Sequence, residues 1–344
     1  MPASMRFPEH LHRLRTPRPW LVVLCLAFLA VFIWLVVDYL RLRSEHRRMG
    51  ARVAEMAERA FSREEVQTQL ARDLATTQGS VRRLLRERTL GRALLEQHRD
   101  DICLVHVSYR YVDRRTGAPM RIERAGGGTV IVHDVFGTGF AIARDVLLSN
   151  RHVLEPWWQN SEALAKEEEG FLPRRTSMRA FCPGRSGPLD LELLDVSPSR
   201  DLATARVPEG GLDPLPIATD DSAVLPGTST FLLSYPTGLD AALARVSEPE
   251  RSRLYPLLRT NPAALADTLQ ARELIQPLIT YGRIGEVAPE RITFDAPSAR
   301  GASGGPLFDS QGDVVGVNSE VLRGFSAANF AIPIRSRDPM LPEP

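Results

Sequence analysis

The stretch RGASGGPLFDSQGDVVGVNS, residues 300–319, places Ser303 between Gly301–Ala302 and Gly304–Gly305. Glycine opens backbone angles that other residues avoid and lets a ligand approach the main chain closely. A nucleophile loop needs both properties. The segment fits two serine templates, the G-x-S-x-G strand-to-helix elbow and a G-x-S-G-G-P loop. A serine in either template needs an adjacent base and a third group to orient that base. The elbow places its histidine after the serine. All seven histidines (10, 12, 46, 98, 106, 133 and 152) precede Ser303, which excludes the elbow. The orders His, Asp, Ser and Asp, His, Ser stay open.

Position selects among the histidines. His10 and His12 precede an apolar run, and His46 and His98 lie in charged helical stretches. His106 and His133 fall in alternating, strand-like runs, where a half-exposed imidazole needs no special role. His152 ends FGTGFAIARDVLLSNRH, residues 136–152. Its two short apolar strands predict a hairpin that delivers His152 just past a strand end. For the order His, Asp, Ser the carboxylate must come from Asp190, Asp195, Asp201, Asp213, Asp220, Asp221, Asp240, Asp267 or Asp295. Asp201 stands out because SRDLATARV, residues 199–207, sets it directly before a small apolar strand. Spacing alone leaves the choice open.

Four segments in order, GTGFAIARDVLLSNRHVL, DLATARV, RGASGGPLFDSQGDVVGVNS and NFAIPI, span residues 137–334. Together they resemble the trypsin-like serine peptidase domain of the HtrA (Deg) type. The resemblance implies a mainly β, chymotrypsin-like double β-barrel. It implies His152 as general base, Asp201 as its orienting partner and Ser303 as nucleophile. It also implies an oxyanion hole from the backbone N–H groups of Gly301 and Ser303, stabilising the tetrahedral intermediate. The first substrate pocket would have Pro297 at its base, with walls at Ser319, Glu320 and Val321 and near Asn329–Phe330. Uncharged Pro297 then favours a small or medium apolar side chain over Lys or Arg. The sequence departs from the family in Ala302, where a polar residue is usual, and no PDZ module is expected after NFAIPI. It departs again in an insertion at residues 241–276, expected to be surface decoration that could still gate the site. Asn261–Pro262 reads as the N-cap and first residue of a helix within it.

These loops need a scaffold and a location. Residues 20–37, WLVVLCLAFLAVFIWLVV, are 18 consecutive apolar residues, at the threshold for a membrane span. No small-x-small cleavage site follows, so an uncleaved transmembrane anchor is expected over residues 20–40, after a tail of residues 1–19. Arginines flank both ends in near-equal number and give no orientation. The resemblance, not flank charge, places the protease outside the cytoplasm, in the periplasm of a bacterium. A charged helical stalk is expected over residues 41–100, with Met49, Val53, Met56 and Ala60 at helical spacing. Ser62 to Glu65 reads as a capping box that starts a new helix, and Gly79–Ser80 as a further break. The stalk offers a surface for homo-oligomer assembly. The protease domain is expected over residues 101–340.

Composition excludes other classes. A net charge of +1 leaves no electrostatic footprint for nucleic acid. The Cys/His spacings match no zinc motif, and no metal or other cofactor is expected. Cys25 lies in the apolar run; whether Cys103 and Cys182 pair is left open. The expectation is a membrane-anchored serine endopeptidase acting on protein or peptide substrates through a His-Asp-Ser triad and an acyl-enzyme. The rival is a catalytically silent protein of the same fold that binds a partner at the membrane.

Overall fold

The computed structural model describes residues 19–124, 127–220, 224–321 and 328–341. Two compact units divide the chain, residues 1–81 and residues 82–344. One helix, α1 (Pro19–His98), contributes to both. It runs without interruption through Ser62 and through Gly79–Ser80, so neither expected break occurs. The residues around Ser62 are strong helix formers, and an interior glycine costs only about 1 kcal/mol relative to alanine. Among the described residues no helix is long and apolar enough to cross a membrane, so the anchor expected over residues 20–40 finds no support here. The side chains of residues 20–22 and 25, inside the apolar run, and the tail before Pro19 lie outside the described residues.

The second unit is mainly β. Its first sheet contains β1 (Ile102–Asp113), then, past a small hairpin of β2 (Arg121–Arg124) and β3 (Gly127–Val130), β4 (His133–Ala143) and β5 (Val146–Ser149). A one-turn helix α2 (Arg151–Leu154) and helix α3 (Ser161–Glu168) lead to β6 (Phe171–Phe181), β7 (Leu189–Asp190), β8 (Glu192–Val196) and β9 (Ala203–Arg206). The strand order is β7-β6-β1-β4-β5-β9-β8. The two outermost strands, β7 and β8, are joined through the single residue Leu191. The sheet must therefore roll until its edges meet, and the chain itself closes the roll where no ladder does. The disulfide Cys103–Cys182 ties β1 to the end of β6.

The second sheet is a closed barrel. After β10 (Ser229–Ser234) come the helices α4 (Leu239–Leu243), α5 (Glu248–Leu254), α6 (Leu257–Thr260) and α7 (Pro262–Gln270). The strands β11 (Leu278–Ala288), β12 (Arg291–Phe294), β13 (Pro306–Phe308), β14 (Val314–Val321) and β15 (Asn329–Pro333) complete it in the order β10-β11-β12-β15-β14-β13. Closure removes the exposed edges that an open sheet would offer. Leu232, Ile292, Phe294 and Leu307 fill it, all fully buried.

Two sequence expectations change. The insertion at 241–276 is not decoration, because α7 buries Leu265, Ala266 and Leu269 in the main core. Its Gln270 amide donates to the carbonyls of Cys182 (2.8 Å) and Arg185 (2.9 Å), fastening the insertion to the disulfide strand. The helix begins as read, with the Asn261 side chain accepting from the Ala264 N–H at 3.1 Å, and runs to Gln270. The compact unit also starts before residue 101, since Leu94 is buried in the core and the His98 ring stacks on Phe308.

Candidate active site

The β4–β5 hairpin turns at Arg144–Asp145, and the chain leaves β5 directly into α2, which carries His152. Asp201 sits just ahead of β9, the partner of β5, so the pairing of Ser149 with Ala203 brings the two loops together. His152 Nδ1 lies 2.6 Å from Asp201 Oδ2, and the His152 backbone N–H donates to Asp201 Oδ1 at 2.9 Å. A carboxylate bonded twice to one residue fixes both the ring and its tautomer: Nδ1 carries the proton and Nε2 is left as the base. Asn150, fully buried, donates its amide to the Asp201 carbonyl at 2.8 Å. On the far side, Arg200 makes a two-pronged contact with Asp338, at 2.7 and 2.6 Å. Burial, the largest single influence, would raise the Asp338 pKa; the Arg200 hydrogen bonds, the Met340 N–H and the charges of Arg200 and Arg335 together outweigh it, and the net shift is downward.

Ser303 comes from the loop between β12 and β13. Ala302 N–H donates to Ala299 O at 2.9 Å, closing a turn whose third residue is Gly301 at φ +95°. Positive φ at that position is the mark of a type II turn. Gly304 (φ +88°) fits only as glycine, because a Cβ there would lie 1.9 Å from the Thr138 carbonyl oxygen. Among the described residues, the N–H groups of Gly301 and Ser303 have no acceptor. Two uncommitted donors beside a serine hydroxyl are what an oxyanion would require.

Ser319, expected in the pocket wall, does something else. Its hydroxyl donates to Asp201 Oδ2 at 2.8 Å, and its carbonyl accepts from Ser303 Oγ at 3.0 Å. The Ser303 hydroxyl is thus turned to Ser319 and makes no hydrogen bond to His152. Sequence reading also missed Asn318, whose amide donates to Ala302 O at 2.9 Å and braces the nucleophile loop. Neither role has a local signal, since both depend on partners at least sixteen residues away. At the expected pocket base, the Pro297 carbonyl accepts from Thr280 Oγ1 at 2.8 Å. The side chains of Glu320 and Val321 lie outside the described residues.

The other strand histidines stand apart from this group. His106, expected to be half-exposed, is fully buried with Nε2 at 2.7 Å from Asp134 Oδ1. His133 stacks on Tyr109. Among the described residues no cluster of His, Cys, Asp and Glu could hold a metal ion.

Known proteins match this chain. A probable periplasmic serine endoprotease, DegP-like, of Pseudomonas fulva is 25% identical over 213 residues, covering 61% of this chain. The chain spans about a third of that relative's length (34%). Among solved structures, Deg5 aligns at 18% identity and TM-score 0.43, covering 72% of this chain and 90% of Deg5. A serine endoprotease from Yersinia pestis aligns at 14% identity and TM-score 0.42, covering 71% of this chain and 62% of the other. The family described as trypsin-like peptidase domain matches residues 137–317, more than half of the sequence and every segment that supplies His152, Asp201 and Ser303. The chain belongs to the trypsin-like peptidase domain family.

Proposed function

We propose that the chain is a serine endopeptidase of the HtrA type that cleaves protein or peptide substrates. The observation that carries this reading is that Ser319 links the Asp201–His152 pair to Ser303, on a loop whose Gly301 and Ser303 N–H groups have no acceptor among the described residues. In the proposed cycle, Ser303 Oγ attacks the scissile carbonyl and its proton passes to His152 Nε2. Asp201 holds the ring and stabilises the imidazolium without taking the proton itself. The Gly301 and Ser303 N–H groups receive the oxyanion. Collapse expels the amine, protonated by His152, and leaves an acyl-Ser303 that water hydrolyses by the same steps. Pro297, Ser319, Glu320 and Val321 bound the first pocket in this reading, with an apolar preference. No cofactor enters the cycle.

A silent binding protein is the second reading, favoured by one observation. Ser303 Oγ is bonded to the Ser319 carbonyl and not to His152. In the peptidase reading the Ser303 hydroxyl turns from Ser319 to His152 as substrate binds, since catalytic contacts often form fully only in the substrate complex. Digestion of an unfolded protein by the parent and by Ser303→Ala distinguishes the two. Cleavage in the parent alone supports the peptidase; cleavage in neither supports the binder.

The anchor over residues 20–40 and an extracytoplasmic protease belong to the same proposal. They rest on the 18-residue apolar run and on the periplasmic naming of the relative. Membranes should then keep the protein through alkaline washing, and release into the wash contradicts the anchor. Pairing with a second copy rests on the stalk. Met49, Val53, Met56, Leu70, Leu74 and Val81 follow one 3.5-residue register and are each at least 49% exposed. That seam suits a two-stranded coiled coil.

A further inference from the structure

The Ser303 loop is gripped by a second turn that the catalytic cycle does not use. Tyr235–Gly238 closes through Gly238 N–H to Tyr235 O at 3.0 Å, with Pro236 second and Thr237 third at φ +63°. A type II turn takes Pro readily at its second position and wants Gly or Asn at its third. A β-branched residue with positive φ is an outlier. Such strain persists only where the surroundings over-determine the backbone, and it clusters at functional sites. The Thr237 side chain is exposed, so what it supplies here is its backbone.

That backbone meets the Ser303 loop. Thr237 N–H donates to the Arg300 carbonyl at 2.6 Å. The carbonyl of Arg300 and the N–H of Gly301 belong to one trans peptide and point in opposite directions. Holding the carbonyl on Thr237 therefore aims the Gly301 N–H away from it, where it has no acceptor among the described residues. The alternative type I turn would need negative φ at Gly301, would flip this peptide and would break the bond to Thr237.

Thr138, fully buried on β4, joins the two turns. Its hydroxyl accepts from Tyr235 N–H at 3.1 Å and donates to Gly301 O at 2.8 Å. Its backbone N–H donates to Ser303 O at 2.7 Å, and its own carbonyl accepts from Ser149 Oγ at 2.7 Å. Three carbonyls within four residues, those of Arg300, Gly301 and Ser303, are thus held from two segments far away in sequence. The packing leaves no slack: a Cβ on Gly301 would lie 2.5 Å from Tyr235 O and 2.9 Å from Gly238 N. Helix α4 starts directly after Gly238 and packs on α7, so this grip lies at the root of the insertion.

We infer that Thr138 and the Tyr235–Gly238 turn are positioning elements that fix the Arg300–Gly301 peptide so that its N–H serves the oxyanion. The inference rests on the serine peptidase reading and goes beyond it. Neither element touches substrate; each acts through the loop it holds.

The test compares the parent, Thr138→Val, Thr138→Ser and Pro236→Gly in the full chain, using hydrolysis of a chromogenic peptide and inhibition by the matching peptide boronate. Thr138→Val keeps the shape and removes the hydroxyl. Its kcat should fall about 100-fold, the cost of one oxyanion donor, with KM within about threefold of the parent because ground-state binding is untouched. Boronate affinity should fall in parallel with kcat, and Thr138→Ser should restore both. Pro236→Gly loosens the turn without unpairing any buried polar group, so it decides the matter if Thr138→Val fails to fold; kcat should drop while KM holds. A folded Thr138→Val with parental kcat and boronate affinity overturns the inference, as does a loss that Thr138→Ser fails to rescue. So does Pro236→Gly at full rate where Thr138→Val cannot be purified. A parent that neither hydrolyses peptide nor binds boronate removes the peptidase reading, and this inference with it.

Discussion

Two clusters in this molecule contain the same three residue types. One is His152, Asp201 and Ser303, with Ser319; the other is His106, Asp134 and Ser108. Each has a short His–Asp contact, 2.6 Å in the first and 2.7 Å in the second. They differ in which nitrogen meets the carboxylate. Asp201 takes Nδ1 of His152 and leaves Nε2 free on a side chain that is 37% exposed. Asp134 takes Nε2 of His106, and the remaining Nδ1 is buried without a partner among the described residues. The serines differ as well. Ser108 donates to the carboxylate oxygen that His106 already holds, at 2.7 Å, so it cannot face the free nitrogen. Ser303 lies on a glycine-bent loop with two N–H donors that have no acceptor among the described residues. Residue types alone do not make a site; ring orientation, access and a place for developing charge do.

The largest expected effects separate the clusters outright. Ser303→Ala and His152→Ala should each lower peptide turnover by about six orders of magnitude, since neither group acts without the other. Asp201→Asn should cost about four orders, by presenting the wrong tautomer. Steady-state hydrolysis measures all three, and full activity in Asp201→Asn would assign the carboxylate elsewhere. Equal losses in Ser108→Ala would erase the contrast between the clusters.

Ser108→Ala is instead expected to leave turnover unchanged and to lower stability by about 2 kcal/mol, the net worth of a hydrogen bond to a charged group, in urea unfolding. Burial, the largest single influence, pushes the Asp134 pKa up, but the bonds from His106 and Ser108 and the electrostatic attraction of His106 and His133 together outweigh it and hold it below the ordinary carboxylate value. A depressed carboxylate adds stability above its unfolded pKa and loses it as pH falls through the folded one. Removing the Ser108 bond raises that folded value, so acid unfolding should begin at higher pH in the variant. An unmoved acid midpoint would contradict this.

The smallest effect concerns His98, where burial alone lowers the imidazole pKa from its ordinary 6.5. The folded protein favours the neutral ring there, so stability should be full above that ordinary value and decline as pH drops below it. His98→Gln should flatten the decline in thermal unfolding followed between neutral and mildly acidic pH. An unchanged slope would place the pH dependence elsewhere.

What the sequence discloses follows from the range of each interaction. Asn261 and Pro262 announce their helix because a cap is local. The glycines around Ser303 are legible because positive φ has a sequence signature, realised at Gly301 and Gly304. Local signals mislead where helix propensity overrides them, as at Ser62 and Gly79 inside α1. They are silent where contacts are distant. Thr138 reaches Tyr235 across 97 positions and Gly301 across 163, and no periodicity encodes either bond. The burial of α7 is hidden for the same reason: Gln270 finds its acceptor at Cys182, just past the end of β6 and 88 residues earlier.

The most direct test of the central claim is where a serine-directed fluorophosphonate reacts. After treatment of the folded full chain, peptide mass mapping should find one adduct, on Ser303. It should vanish in Ser303→Ala and fall steeply in His152→Ala, while Ser108 stays unmodified in every sample. No adduct on the parent, an adduct on Ser108, or labelling of Ser303 that is indifferent to His152 would contradict the account.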